Sequence, residues 1–168
     1  MHDLTPDQAA FYERFLAIGD NREKYAGRRV VHDRFGDSPQ MSDDLLALVL
    51  AGTKTASCSC RWEWEAGGDE PLGPGTLGVI TDGSDTPRCI LETVELVEVP
   101  FTQVTEEHAY LEGEGDRSLA YWRKAHTEWF ERSLARIGRE LTDDAPILCE
   151  RFLLLWAPDG AGHPMLHQ

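Results

Sequence analysis

A lysine and a hydroxyl lie three residues apart in Gly52-Thr53-Lys54-Thr55-Ala56-Ser57, where an apolar helical pattern gives way to a strand-like one. The lysine can carry charge or a proton, and the hydroxyl can act as a nucleophile. A helix-to-strand junction suits both tasks, because it projects side chains into a cavity from a rigid frame. The spacing alone does not select this chemistry, since Lys-x-x-Ser pairs are more often merely solvated.

Other residues carry weaker chemical signals. Arg117 and Ser118 open a long helical pattern, where backbone donors favour an anion; Asp116 or Ser118 serves equally well as the helix cap. Trp62, Trp64 and Trp122 offer faces on which a base can stack, although tryptophans on a strand or helix face are more often core. The four cysteines, Cys58, Cys60, Cys89 and Cys149, lack the paired spacings of a structural zinc site, so no metal is expected. Cys58 and Cys60 share one face of a strand, where packed thiols are the simpler reading.

The elements that must hold these groups follow from periodicity and caps. A helix is predicted from Thr5 to Ile18, with Thr5 as cap, Pro6 at the first helical position and Gln8 completing a capping box; Phe11, Phe15 and Ile18 face inward. Residues 21–40 read as an irregular charged loop that ends in the turn formers of Phe35-Gly36-Asp37-Ser38-Pro39. Ser42 then looks like a cap for a helix that packs Leu45, Leu46, Leu48 and Val49 and closes at Gly52, so residues 5–51 form an N-terminal helical segment. Strands are predicted at 56–64, 76–81 and 88–99, with Asp82-Gly83 as a turn, followed by a helical turn at 105–113. A long helix over 118–137 repeats Leu119, Trp122, His126, Phe130, Leu134 and Ile137 at helical spacing, with His126 read as a structural histidine. A last strand covers 147–156, and the Gly- and Pro-rich tail 158–168 is expected to be loosely held. The pattern implies an α+β fold with an antiparallel sheet, no repeat and no membrane segment.

Composition narrows the classes further. The 168 residues suffice for one sizeable core, so a single domain over 1–168 is expected, and 41% hydrophobic with 27% charged residues is ordinary globular composition. Sixteen basic against thirty acidic residues give a net charge of −14, which argues against a general nucleic-acid coat. Arg22, Lys24, Arg28, Arg29 and Arg34 nevertheless cluster locally, as a phosphate contact or as solvated surface. Residues 1–20 carry Asp3, Asp7, Glu13 and Arg14 without an apolar run, which reads as a cytoplasmic chain with reduced thiols.

Read together, the Gly52–Ser57 segment, Phe35-Gly36-Asp37-Ser38-Pro39, the stretch from Glu112 to Trp122 and Cys149-Glu150-Arg151-Phe152 resemble the longer bacterial-type ASCH-domain proteins over most of residues 30–156. The resemblance implies a PUA-like mixed or antiparallel β-barrel flanked by helices, in a fold family linked to RNA metabolism. It also implies a small nucleoside or nucleotide as ligand, with RNA as an alternative partner. In the family's small amidohydrolases, which remove the acyl group of N4-acetylcytidine, the catalytic lysine, hydroxyl and glutamate match Lys54, Ser57 and Glu112, with Glu114 as a neighbouring register. Ser57 stands where those enzymes carry threonine. The implied mechanism has Ser57 attack the acyl carbonyl, Lys54 act as base or as oxyanion stabiliser, and Glu112 orient the lysine or protonate the leaving amine, without metal or organic cofactor. Glu92, on the long strand, would line the barrel mouth and bond a base edge. Binding of RNA or a nucleotide without turnover, and ribonuclease action, remain open as other readings.

Overall fold

The computed structural model describes residues 4–158 and shows an α+β fold of one five-stranded sheet and six helices. The expected looseness of the 158–168 tail falls almost wholly outside the described residues. Helix α1 (Pro6–Leu16) starts as its sequence requires: the Thr5 hydroxyl accepts from Gln8 N–H, and the Gln8 side chain returns the bond to Thr5 N–H. Phe11 and Phe15 drop from it onto Leu77, Val79 and Ile90.

The stretch expected to be irregular contains two elements, the short helix α2 (Asn21–Tyr25) and strand β1 (Val30–Asp33). The strand is invisible locally because its partner is distant: it pairs parallel with β3 (Leu77–Thr81), Val30 opposite Leu77. Helix α3 (Pro39–Leu50) is capped by Ser38, not Ser42. Pro39 occupies its first turn, where a missing N–H is harmless. Ser42 is buried instead and donates to the carbonyls of Phe35 and Ser38.

Strand β2 (Ala56–Cys60) stops four residues short of the predicted end, because Arg61–Gly67 forms helix α4. Glu63 there accepts from Cys60 N–H, and Gly68 ends the helix in the left-handed conformation at φ 72°. The remaining elements are β4 (Pro87–Pro100), a 3-10 turn at Phe101–Gln103, α5 (Glu106–Glu112), α6 (Leu119–Ala135) and β5 (Pro146–Trp156). The strand order is β1-β3-β4-β5-β2, antiparallel at every contact except β1 with β3. β1 and β2 are therefore edges, and the sheet described is open where a closed barrel was expected.

Helix α6 covers one end of this sheet: Trp122, Phe130 and Leu134 pack with Cys60, Phe101 and Ile147. Helix α3 covers another part, setting Leu46 and Val49 against Ile80, Cys89, Leu91 and Phe152. Among the described residues, no helix is long and apolar enough to cross a membrane.

Candidate active site

The space between α6 and the segment running from β1 into α3 is a cavity of about 510 Å³, and its construction begins at the end of α3. Gly52 reverses the chain at φ 74°, which lets Thr53 N–H and Lys54 N–H both donate to Leu48 O, at 2.9 and 3.1 Å. Thr55 is tied on two sides, its N–H to Leu111 O and its carbonyl to Phe152 N–H. Lys54 is thus locked between a helix end, α5 and β5, with its side chain 1% exposed.

Such a burial requires anionic partners. The Lys54 ammonium donates to Glu114 Oε1 at 2.8 Å, to Glu112 Oε2 at 3.3 Å and to Glu112 O at 3.4 Å, and it lies 5.7 Å above the Phe35 ring. Both glutamates of the ambiguous register therefore touch the lysine, but only Glu112 is fully buried. Glu112 ends α5, and Gly113 follows at φ 73° with Thr53 O so close that a Cβ there would meet it at 2.5 Å. Gly113→Ala is expected to cost roughly 2 kcal/mol or more, by forcing a left-handed alanine and pushing the 53–55 loop off α5. Urea denaturation checks this; an unchanged midpoint would contradict the packing described.

The rest of Glu112 is equally engaged. Oε1 accepts from His108 Nε2 at 2.9 Å and from Trp122 Nε1 at 2.8 Å, while His126 Nε2 lies 3.5 Å from Oε2. His126 stacks on Trp122, centroids 4.2 Å apart and planes 12° apart. Burial alone would raise the Glu112 pKa, yet the Lys54 charge and the His108 and His126 hydrogen bonds hold it well below the usual carboxylate range. For Lys54, burial pulls downward, but Glu112 and Glu114 outweigh it and leave the pKa above the ordinary lysine value. The ammonium and the carboxylate are both ionised at neutral pH.

The opposite wall has a different character. Ser57 stands directly across the β2–β5 ladder from Glu150, and the two line the cavity together with Asp33. Directly opposed residues carry their side chains on the same face. Glu150 Oε1 accepts from the Thr93 hydroxyl at 2.5 Å. Burial pushes the Glu150 carboxyl up to about 7; Asp33 adds to the shift, while Thr93 and Lys54 oppose it. A carboxyl raised in the folded state stabilises the protein below its unfolded pKa, and that contribution is lost as pH rises through about 7. Glu150→Gln should therefore raise stability at pH 8 by on the order of 2 kcal/mol and change it little near pH 4. Thermal unfolding across that range checks it; a variant-to-wild-type difference independent of pH would refute it.

The structure brings Lys54, Ser57 and Glu112 to one cavity. Glu114 and Trp64 also line it, whereas Trp62, Glu92, Arg117 and Ser118 lie outside its lining. Trp62 packs against the α6 core beneath the Arg139 guanidinium, 4.6 Å from the ring centre. Glu92, opposite Leu77 in the β3–β4 ladder, is held by Arg28 at 2.5 Å. Arg117 lies over Tyr110 at 3.7 Å and donates to Tyr110 O, and Ser118 caps α6 by accepting from Tyr121 N–H. Sequence reasoning missed His108 and Asp33 as site groups, read Glu150 with Arg151 as an ion pair or a ligand contact alike, and took His126 as structural. The one available signal was the four-residue step from His108 to Glu112, one turn apart on a helix. The cavity also has aromatic walls, Phe35, Trp64, Tyr121 and Trp129.

Comparison with known proteins agrees with this architecture. A family model described as the ASCH domain matches residues 32–155. The crystal structure of an ASCH domain from Lactobacillus crispatus JV V101 superposes with a TM-score of 0.83 at 30% identity, covering 92% of this chain and 97% of that one. A protein from Enterococcus faecalis V583 superposes at 0.77 with 27% identity, over 96% and 98% of the two chains. No curated protein matches.

Proposed function

The chain belongs to the ASCH-domain family, and on that premise we propose that its cavity is the active site of an amidohydrolase acting on an N4-acylated cytidine or a similar modified nucleoside. The observation that carries this reading is the meeting of Lys54, Ser57 and Glu112 in one cavity of about 510 Å³, a volume suited to a small molecule. The aromatic walls supply surfaces on which a base can stack.

In this reading Ser57 is the nucleophile and Glu150 its base. A carboxyl with a pKa of about 7 is matched to proton transfer at neutral pH. Lys54 remains an ammonium and stabilises the oxyanion, which removes the need to deprotonate it. Glu112 holds the lysine in place; kept ionised, it is not the acid. The Ser57 Oγ–acyl bond forms, the amide C–N bond breaks, and the proton taken from Ser57 passes to the leaving amine. Water then cleaves the ester, releasing the carboxylic acid and restoring Ser57.

The test is hydrolysis of N4-acetylcytidine by the purified protein, followed by absorbance as cytidine forms, at low and high salt. Turnover that is insensitive to salt is the expected result, since an uncharged nucleoside releases no counterions. Absence of turnover on this and several other N4-acylated cytidines would sink the reading. RNA retention or cleavage that weakens steeply with salt would move the assignment to the RNA-directed alternatives.

A further inference from the structure

Three side chains from three separate segments converge on one wall of the cavity. The Cys58 sulfur of β2, a Glu112 carboxylate oxygen at the end of α5 and a His126 ring nitrogen of α6 all lie within 4.8 Å of one another. All three residues line the cavity, so a group bound among them keeps one side open.

Two further features give this cluster direction. His126 Nδ1 lies 3.0 Å from Trp122 O, which can only accept, so Nδ1 carries hydrogen and Nε2 is the ring nitrogen turned to the cluster. Nε2 in turn faces Glu112 Oε2 at 3.5 Å. Glu112, for its part, is oriented from behind, because His108 and Trp122 occupy Oε1 and leave Oε2 facing His126. Hydrogen bonds from an outer layer that fix the imidazole tautomer and the carboxylate orientation are the usual support of metal ligands.

We propose that Cys58, Glu112 and His126 form a binding site for a thiophilic divalent cation of the zinc class, with the cavity supplying an open fourth position. Sulfur, imidazole and carboxylate together match the ligand preference of that class. Lys54 is the built-in competitor, since its ammonium lies 3.3 Å from the same Oε2 and has Glu114 at 2.8 Å as an alternative partner. Loading the site moves Glu112 from the ammonium to the metal, and the Cys58 thiol releases its proton to solvent on ligation. This site stands whether or not the cavity hydrolyses amides.

Titration of the metal-free protein with Co²⁺ tests it directly, because cobalt bound to a thiolate gives a charge-transfer band in the near ultraviolet. The expected result is one Co²⁺ per chain, displaced by Zn²⁺, with the band lost in Cys58→Ser and kept in Cys149→Ser across the ladder. His126→Gln should weaken binding at least about tenfold, and Lys54→Met should tighten it. Absence of the band in the wild type, or its survival in Cys58→Ser, overturns the proposal. If Cys58→Ser fails to fold, His126→Gln decides: an affinity equal to wild type overturns it.

Discussion

Glu112→Ala is expected to destabilise the protein by about 4 kcal/mol. The carboxylate is 1% exposed and serves four groups, so its removal strands the Trp122 indole N–H and a His108 nitrogen in the interior and leaves Lys54 with Glu114 as its remaining carboxylate. A buried charge that loses a partner costs far more than the pair contributes, which separates this substitution from the loss of a surface ion pair. The companion measurement is a double-mutant cycle with Lys54→Met and Glu112→Gln. Because the two groups are in contact, the double variant should lose at least about 1 kcal/mol less than the sum of the single losses. The pH dependence has a defined sign. The depressed Glu112 pKa gives stability that is lost as pH falls through its folded value, below the usual carboxylate range; the raised Lys54 pKa gives stability lost only as pH climbs above the ordinary lysine value. Denaturant unfolding that shows Glu112→Ala within about 1 kcal/mol of wild type would contradict this account.

The second large effect concerns rate. If Ser57 is the nucleophile, Ser57→Ala should reduce turnover by roughly a thousandfold or more while leaving stability within about 0.5 kcal/mol, since among the described residues Ser57 makes no side-chain hydrogen bond that the change would break. Lys54→Ala should cost about 10²–10³ in kcat, the scale of one lost oxyanion donor. The pH–rate profile discriminates the roles: its rising limb should fall near 7, where Glu150 titrates, and should vanish in Glu150→Gln. A rising limb that persists in Glu150→Gln and disappears in Lys54→Ala would make the lysine the base instead.

Much of the positioning frame was legible because it rests on short-range signals. The capping box of Thr5 and Gln8, the Gly52 reversal before Lys54 and the helical repeat of Trp122, Phe130 and Leu134 are all encoded within a few residues. The failures share a physical cause. Arg61–Trp64 looked like strand because aromatic residues favour strands, but a Glu63 contact to Cys60 N–H and Gly68 beyond it favour a helix. Ser42 resembled a cap, while Ser38 followed by Pro39 was the better one. β1 escaped because a parallel pairing with β3 leaves no local turn to announce it. In the site, Lys54 and Ser57 stand out as a motif, and Glu112 was matched through family resemblance. Glu150 and His126 reach the cavity only through strand pairing and helix packing, and Glu150's raised pKa arises from burial that no local pattern displays.

The sheet order has a consequence for how the chain acquires its site during synthesis. β5, the strand latest in the sequence among the five, lies between β4 and β2, so β2 has no neighbour in the sheet until it arrives. The Lys54–Glu112 contact closes a span of 58 residues, and Thr93–Glu150 one of 57. Such distant closures carry their entropic cost before any contact rewards them. On the ribosome, the segment bearing Lys54 and Ser57 emerges early, yet it cannot be seated until residues 146–156 follow. A nascent chain halted before that point would carry the reactive residues without the chamber that aligns them, which ties competence for chemistry to completion of the sheet.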